Sequence, residues 1–182
     1  AKEYVNIIYS SGERMRRLFA KVNLLCQLKG GIELIPDEQS LEKCLRAVIT
    51  DVGSQFPDVG IECSCENDII MNGDWDLLSK AFYNVIENGC KFSGSGKTLR
   101  VTIRQGDQAT LVIVEDDGPG VNQETIDRIF EGFFTEDIMH HHQGAGLSLS
   151  ISSLIMVHHQ GKIECENRAQ GGTRFTFSFP RS

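Results

Sequence analysis

The sequence predicts an α+β fold: a two-layer α/β sandwich, a mixed sheet covered by helices on one face, preceded by one long N-terminal helix. Three observations lead there. Apolar residues recur at helical spacing over residues 1–29 and again around 41–49, 77–86 and 145–157. Period-two alternation marks residues 59–65, 98–104, 110–115, 162–166 and 173–179. Those strand-like segments cluster late in the chain instead of alternating strictly with helices, which argues for a mixed sheet with hairpins.

In order, Val5, Ile8, Met15, Leu18, Val22 and Leu25 form a helical seam, broadened by Ile7, Phe19 and Leu24 and ended by Gly30-Gly31. Such a seam near a chain terminus calls for a partner helix, which a second subunit would supply. Ile32–Ile35 reads as a short strand closed by Pro36-Asp37, and Ser40–Val52 as a helix ending at Gly53. Val59–Cys65 and Ile69–Asn72 read as strands. Asp74 then caps an amphipathic helix to Ser93, with Leu77, Leu78, Ala81, Phe82, Val85 and Ile86 on its apolar face. A Ser-Gly loop leads into a hairpin of Thr98–Arg104 and Thr110–Glu115 turning at Gly106-Asp107. Asn122 caps a short helix over Gln123–Arg128, residues 130–143 have no period, and Gly144 opens a helix over Ala145–Val157. Lys162–Glu166 and Thr173–Phe179 close the chain as paired strands.

At 182 residues the chain has room for one domain, with or without an appendage. A domain of this size buries about 70% of its unfolded surface. A net charge of −7 argues against nucleic acid as a partner. No apolar run approaches the ~20 residues that span a bilayer, and no signal peptide is evident. The six cysteines include no Cys-x-x-Cys pair, and four lie in apolar or strand-like surroundings. They read as buried reduced thiols in a cytosolic setting.

Four segments carry chemistry. On the central helix Asn84, Asn88, Lys91 and Phe92 fall at i, i+4, i+7 and i+8, along one stripe. Amides, a cation and a ring on one stripe suit a metal–phosphate group beside a flat base; a solvated helix face is the plainer alternative. Asp116-Asp117-Gly118-Pro119-Gly120 follows a strand. There a buried carboxylate would accept from an exocyclic amine such as that of adenine while the glycines let backbone approach, or the segment is a plain turn. Gly144-Ala145-Gly146-Leu147 opens a helix with free N–H groups that suit phosphate, although its spacing matches neither the P-loop nor the dinucleotide fingerprint. Between them, Phe130, Phe133, Phe134 and Thr135 begin an irregular stretch that suits a lid over a ligand or ordinary core packing. Gly171-Gly172-Thr173 starts the last strand, where Thr173 offers a hydroxyl.

Taken in sequence, the Asn-x-x-x-Asn-x-x-Lys helix, the Asp-x-Gly-x-Gly turn, the Phe-rich segment, the Gly-x-Gly helix start and the Gly-Thr-x-Phe strand resemble the ATP-binding catalytic domain of sensor histidine kinases, within the Bergerat-fold ATPase superfamily. The resemblance covers about residues 32–180. Residues 1–31 look like the second helix of the dimerisation and phosphoacceptor hairpin, leaving 32–182 as the catalytic domain. The resemblance implies ATP and Mg²⁺ as ligands. Asn88 would hold Mg²⁺ through the ATP phosphates, and Asn84 and Lys91 would support the phosphates. Phe92 would lie near the base or ribose, and Asp116 would accept from the adenine amine with Gly118 and Gly120 giving clearance. Thr173 would complete that polar network. Gly144, Gly146 and Leu147 would offer backbone contacts to phosphate, with Phe130, Phe134 and Thr135 in the lid. No catalytic residue is assigned. The implied partners are a response-regulator receiver domain and a second copy through the helical hairpin. The implied location is the cytoplasm, with any membrane anchor elsewhere in the parent protein.

This sequence departs from the family pattern in four places. No phosphoacceptor histidine followed by an acid is present, so the acceptor belongs to a preceding helix or to another chain. Where family members often carry a lysine after the Phe-Phe-Thr segment, this chain has Glu136 and Asp137, which would weaken triphosphate binding or transfer. Ser148 stands where the family often has glycine. Gly89 replaces a small alanine after Asn88, a softening of about 1 kcal/mol. His140, His141 and His142 read as an exposed tract, with lid cations or metal ligation as the alternative. The leading expectation is phosphoryl transfer from Mg-ATP to a histidine. The alternative is a degenerate kinase acting as a scaffold or phosphatase-biased module. A hydrolysing chaperone-like or repair-type ATPase is disfavoured because Asn84 occupies the place of a water-activating glutamate.

Overall fold

A computed structural model describes residues 2–94, 96–134 and 146–181. Helix α1 (Lys2–Gly30) leads through an extended segment to β1 (Asp37–Ser40), α2 (Leu41–Gln55), β2 (Gly60–Cys65), β3 (Ile70–Gly73) and α3 (Trp75–Ser93). Then follow β4 (Thr98–Gln105), β5 (Ala109–Glu115), a single 3-10 turn at Ile126–Arg128, α4 (Ser148–His158), β6 (Lys162–Asn167) and β7 (Thr173–Pro180). The main sheet has the order β2-β4-β5-β7-β6. Its β2–β4 pair is parallel and its other pairs are antiparallel, so the sheet is mixed. β1 and β3 form a separate antiparallel ribbon.

One face of the sheet builds the core. Leu99, Val101 and Ile103, then Val112 and Val114, then Phe175, Phe177 and Phe179 are buried at alternate positions, while the residues between them are not. They pack against α2, α3 and α4, as expected for helices on one face. Phe82 of α3 sits edge-on to Phe177 at 5.1 Å and 76°, an arrangement worth about 0.5–1.5 kcal/mol beyond its buried area.

α3 is anchored by its cap. Asp74 Oδ1 accepts from Leu77 N at 3.1 Å, and Oδ2 accepts from Ile35 N at 3.0 Å. The Asp74 N–H donates to His159 Nε2 at 3.0 Å, and His159 Nδ1 lies 2.8 Å from the Ile155 carbonyl. Since that carbonyl only accepts, the proton sits on Nδ1, and His159 ties the end of α4 to the start of α3.

Several boundaries differ from expectation. Ile32–Ile35 is not a strand; the ladder falls on the polar Asp37–Ser40, which pairs residue for residue with Ile70–Gly73. The pairing partner decides there, not local hydrophobicity. α2 continues through Gly53 to Gln55. The helix expected at 123–128 is reduced to one 3-10 turn, although Asn122 Oδ1 still accepts from Glu124 N at 3.0 Å. α4 begins at Ser148, with Gly146 and Leu147 outside it; Ala145, the expected start of the helix, lies outside the described residues. None of the six cysteines is in a disulfide, but only Cys90 is buried and Cys26 is exposed, so burial holds for one of them. No described helix is long and apolar enough to cross a membrane.

Candidate functional site

The C-terminal half of α3, the turn after β5 and the start of α4 converge at one end of the sandwich. Asp116 leaves β5 buried, because the chain pairs on both sides of it: its N–H donates to the Thr173 carbonyl at 3.0 Å. Its Oδ1 accepts from Gly118 N at 2.8 Å and from Thr173 N at 3.2 Å. Burial raises its pKa above the ordinary carboxylate value, opposed by those two N–H donors, the Thr173 hydroxyl and nearby Arg168.

Two glycines make this geometry possible. A Cβ on Gly172, whose φ is +82°, would stand 2.0 Å from the Asp116 carbonyl oxygen. A Cβ on Gly118 would stand 2.8 Å from the Phe92 carbonyl and 2.9 Å from Asp116 Oδ1, so the end of α3 and the carboxylate close on one narrow cradle. Gly120 packs on Asn167, whose side-chain amide pairs with both backbone groups of Val121. Ser93, the last residue of α3, has a buried hydroxyl without a partner among the described residues.

The α3 stripe divides by role. Asn84 is buried, and its Nδ2 donates to the Ser148 carbonyl at 3.1 Å and to Ser152 Oγ at 3.3 Å. It clamps α3 to the first turn of α4, so its amide nitrogen is already occupied. One turn on, Asn88 is half-buried and its side chain hydrogen-bonds to no described residue. Lys91 pairs with Glu87 at 2.9 Å. Phe92 exposes its ring while its carbonyl faces Gly118.

Leu147 is buried and supplies no side-chain cap to α4, which leaves the N–H groups of that first turn open. Gly146, at φ +64°, accepts from Phe133 N through its carbonyl at 3.0 Å, and a Cβ on it would meet the Phe134 carbonyl at 2.4 Å. Phe130 packs edge-on to Phe175 at 6.5 Å, and Arg128 lies 4.7 Å over the Phe134 ring. These rings brace the base of the segment that follows. Thr135, Glu136, Asp137, His140, His141, His142 and Gly144 lie outside the described residues.

Sequence reasoning passed over three residues here. Arg168, on the β6–β7 turn, donates through Nη1 to the Asp116 carbonyl and to Asp117 Oδ1 at 2.7 Å, and pairs with Glu115 at 3.4 Å. Its pairing with Asp117, helped by Arg100, holds that carboxyl below its ordinary range. A basic residue three positions before Gly171-Gly172 was the available signal. For Ser93 and Lys21, described below, no local pattern exists.

The pattern of one protein family matches residues 73–182, more than half of the chain: "Histidine kinase-, DNA gyrase B-, and HSP90-like ATPase". The chain belongs to this family. Within it, the relatives are sensor kinases. The chain is 30% identical over 99% of its length to the sensor protein KdpD of Clostridium acetobutylicum, and it spans only 20% of that protein. Among solved structures, full-length ShkA in complex with AMPPNP superimposes with a TM-score of 0.87 at 25% identity, covering 98% of this chain and 38% of that one. ThkA in complex with the response regulator TrrA gives 0.80 at 25% identity, covering all of this chain and 51% of that one. The family member described here is therefore an ATP-binding catalytic domain of the sensor-histidine-kinase type, as the ordered motifs predict.

Proposed function

We propose that this chain binds Mg-ATP and transfers its γ-phosphoryl group to a histidine, from which the group passes to a response-regulator receiver domain. The reading rests on the cradle at the end of α3. Asp116 has Oδ1 occupied by two backbone donors, which favours Oδ2 as the acceptor for an adenine amine, and Gly118 lets the end of α3 close against that carboxylate. The unpartnered Ser93 hydroxyl supports a ligand or bridging water at this place. Thr173 and Gly120 shape the same wall, and Phe92 flanks it.

Toward the phosphates, the open N–H groups after Gly146 and Leu147 favour an anion. Asn88 is the residue suited to Mg²⁺: an uncommitted amide oxygen beside the phosphate chain, a hard donor of the type that cation accepts. Among the described residues no group of three His, Cys, Asp or Glu could hold a metal, which fits an ion ligated mostly by phosphate and water. Bound Mg²⁺ would offset the charge on the phosphate oxygens. Lys91 would reach a phosphate by exchanging Glu87 for it. Asn84 acts by positioning α4, and as an amide it does not activate water, which favours holding ATP for transfer over hydrolysing it.

Residues 1–31 serve as the second helix of a dimerisation hairpin and 32–182 as the catalytic domain. Tyr4, Val5, Ile8, Met15 and Phe19 are exposed on α1, an apolar row that a hairpin partner and a second copy would cover. Six cysteines outside any disulfide favour a cytoplasmic setting. Titration with a fluorescent ATP analogue tests the reading: saturable, Mg²⁺-dependent binding supports it, and none at millimolar nucleotide overturns it.

A further inference from the structure

Lys21, on α1, is the cation that the reading above leaves without a task. Lys21, Leu25 and Leu28 fall at i, i+4 and i+7, one face of α1, and that face lies on α4. Leu25 and Leu28 are buried, and the Leu28 carbonyl is 2.8 Å from His158 Nε2 at the end of α4. At the other end, Lys21 Nζ donates to Ser148 Oγ at 2.7 Å. Ser148 is the first residue of α4, and its carbonyl receives the Asn84 amide.

This is a poor place for a cation alone. Lys21 is partly buried, and its pKa is lowered, chiefly by desolvation. Among the described residues no carboxylate pairs with it. The acid close enough to act on it, Glu87, is already paired with Lys91, so two ammonium groups share one carboxylate. The ammonium also stands at the positive end of the α4 dipole, where a cation is disfavoured and an anion favoured. An anion at the start of α4 would relieve all three conditions at once. The turn of α3 facing this place carries Asn88.

We propose that Lys21 contacts the terminal phosphates of bound nucleotide, so that the phosphate site is shared between α1 and the catalytic domain and is complete only when α1 lies on α4. The proposal rests on the nucleotide reading above and adds to it a phosphate-binding residue from outside the catalytic domain. Ser148 holds Lys21 Nζ in place at the site.

Equilibrium binding of Mg-ATP, Mg-ADP and adenosine to the whole chain, by displacement of a fluorescent ATP analogue, tests it in the wild type and in Lys21→Met, Lys21→Arg and Ser148→Ala. The expected result for Lys21→Met is a loss of about tenfold in Mg-ATP affinity, a smaller loss for Mg-ADP and none for adenosine, the size of one partly exposed charge-assisted hydrogen bond. Lys21→Arg, which keeps the cation, should stay within about threefold of the wild type, while Ser148→Ala, which removes the hydroxyl that holds Nζ, should lose Mg-ATP affinity by less than Lys21→Met. Unchanged Mg-ATP binding in Lys21→Met overturns the proposal. So does a parallel loss for all three ligands, which would assign Lys21 to holding α1 alone. If the wild type binds none of them, the nucleotide reading itself falls and this inference with it. Wild-type binding that Lys21→Met leaves intact overturns only the role of Lys21.

Discussion

The Asn84 amide nitrogen donates to the Ser148 carbonyl at 3.1 Å. One turn before the proposed magnesium residue, α3 thereby sets the first turn of the helix whose N–H groups would face the phosphates in the proposed site. Replacing Asn84 by Ala should therefore cost about 1–3 kcal/mol of stability, the price of a buried hydrogen-bonded amide, read by urea unfolding. Nucleotide affinity should fall with it even though Asn84 need not touch the ligand. Unchanged stability in Asn84→Ala would remove the clamp.

Asp116→Asn separates folding from binding. An asparagine Oδ1 can still accept from Gly118 and Thr173, but its amide then faces the adenine amine donor to donor. The folded pKa of Asp116 is raised, so its contribution to stability is fully present below the unfolded pKa and is lost as pH rises through the folded one. At neutral pH the ionised carboxylate thus weighs against the nucleotide-free fold, and the variant should melt at the same temperature or higher. Its ATP affinity should fall more than about tenfold. Thermal melts and a binding titration on the same sample check both halves.

Arg168 braces the turn that carries Asp116, the residue proposed to accept from adenine. Arg168→Ala leaves the Asp116 carbonyl and the Asp117 carboxylate without their shared donor, and should destabilise by about 1–3 kcal/mol and loosen nucleotide binding. Asp117 has a lowered folded pKa, so the stability it lends is present above its unfolded pKa and is lost as pH falls through the folded one. Acid unfolding of the wild type should accordingly show a contribution below pH ~4 that Asp117→Asn lacks.

Gly89 makes room for the sheet. A Cβ there would lie 2.4 Å from Leu99 Cδ1, so the residue that softens α3 also lets β4 approach. Gly89→Ala gains about 1 kcal/mol in helix propensity and incurs overpacking of about 1–3 kcal/mol. It should be mildly destabilising alone, and less so in a Leu99→Val background. A double-mutant cycle by urea unfolding reads the coupling between the two sites.

The sequence made α3 legible because its period and its Asp74 cap are local, and the hairpin of β4 and β5 for the same reason. β1 was missed because nothing apolar marks Asp37–Ser40; its ladder depends on Ile70–Gly73, far along the chain. The glycine turns could be named as close approaches, but not what they approach: that Gly172 lies on the Asp116 carbonyl depends on the pairing of β5 with β7. Asn84 was expected on phosphate, and its amide lies on α4, since only packing tells a buried stripe residue from a ligand-facing one. Lys21 and Ser148 are 127 positions apart, and no periodicity reports such a contact.

Asn88 is where the central claim is most exposed. Binding of a fluorescent ATP analogue, titrated with and without Mg²⁺ in the wild type and in Asn88→Ala, measures it directly. The wild type should bind tighter with Mg²⁺, and Asn88→Ala should lose that gain while keeping its Mg²⁺-free affinity. An Asn88→Ala chain that keeps the full Mg²⁺-dependent gain, or a wild type indifferent to Mg²⁺, would contradict the account.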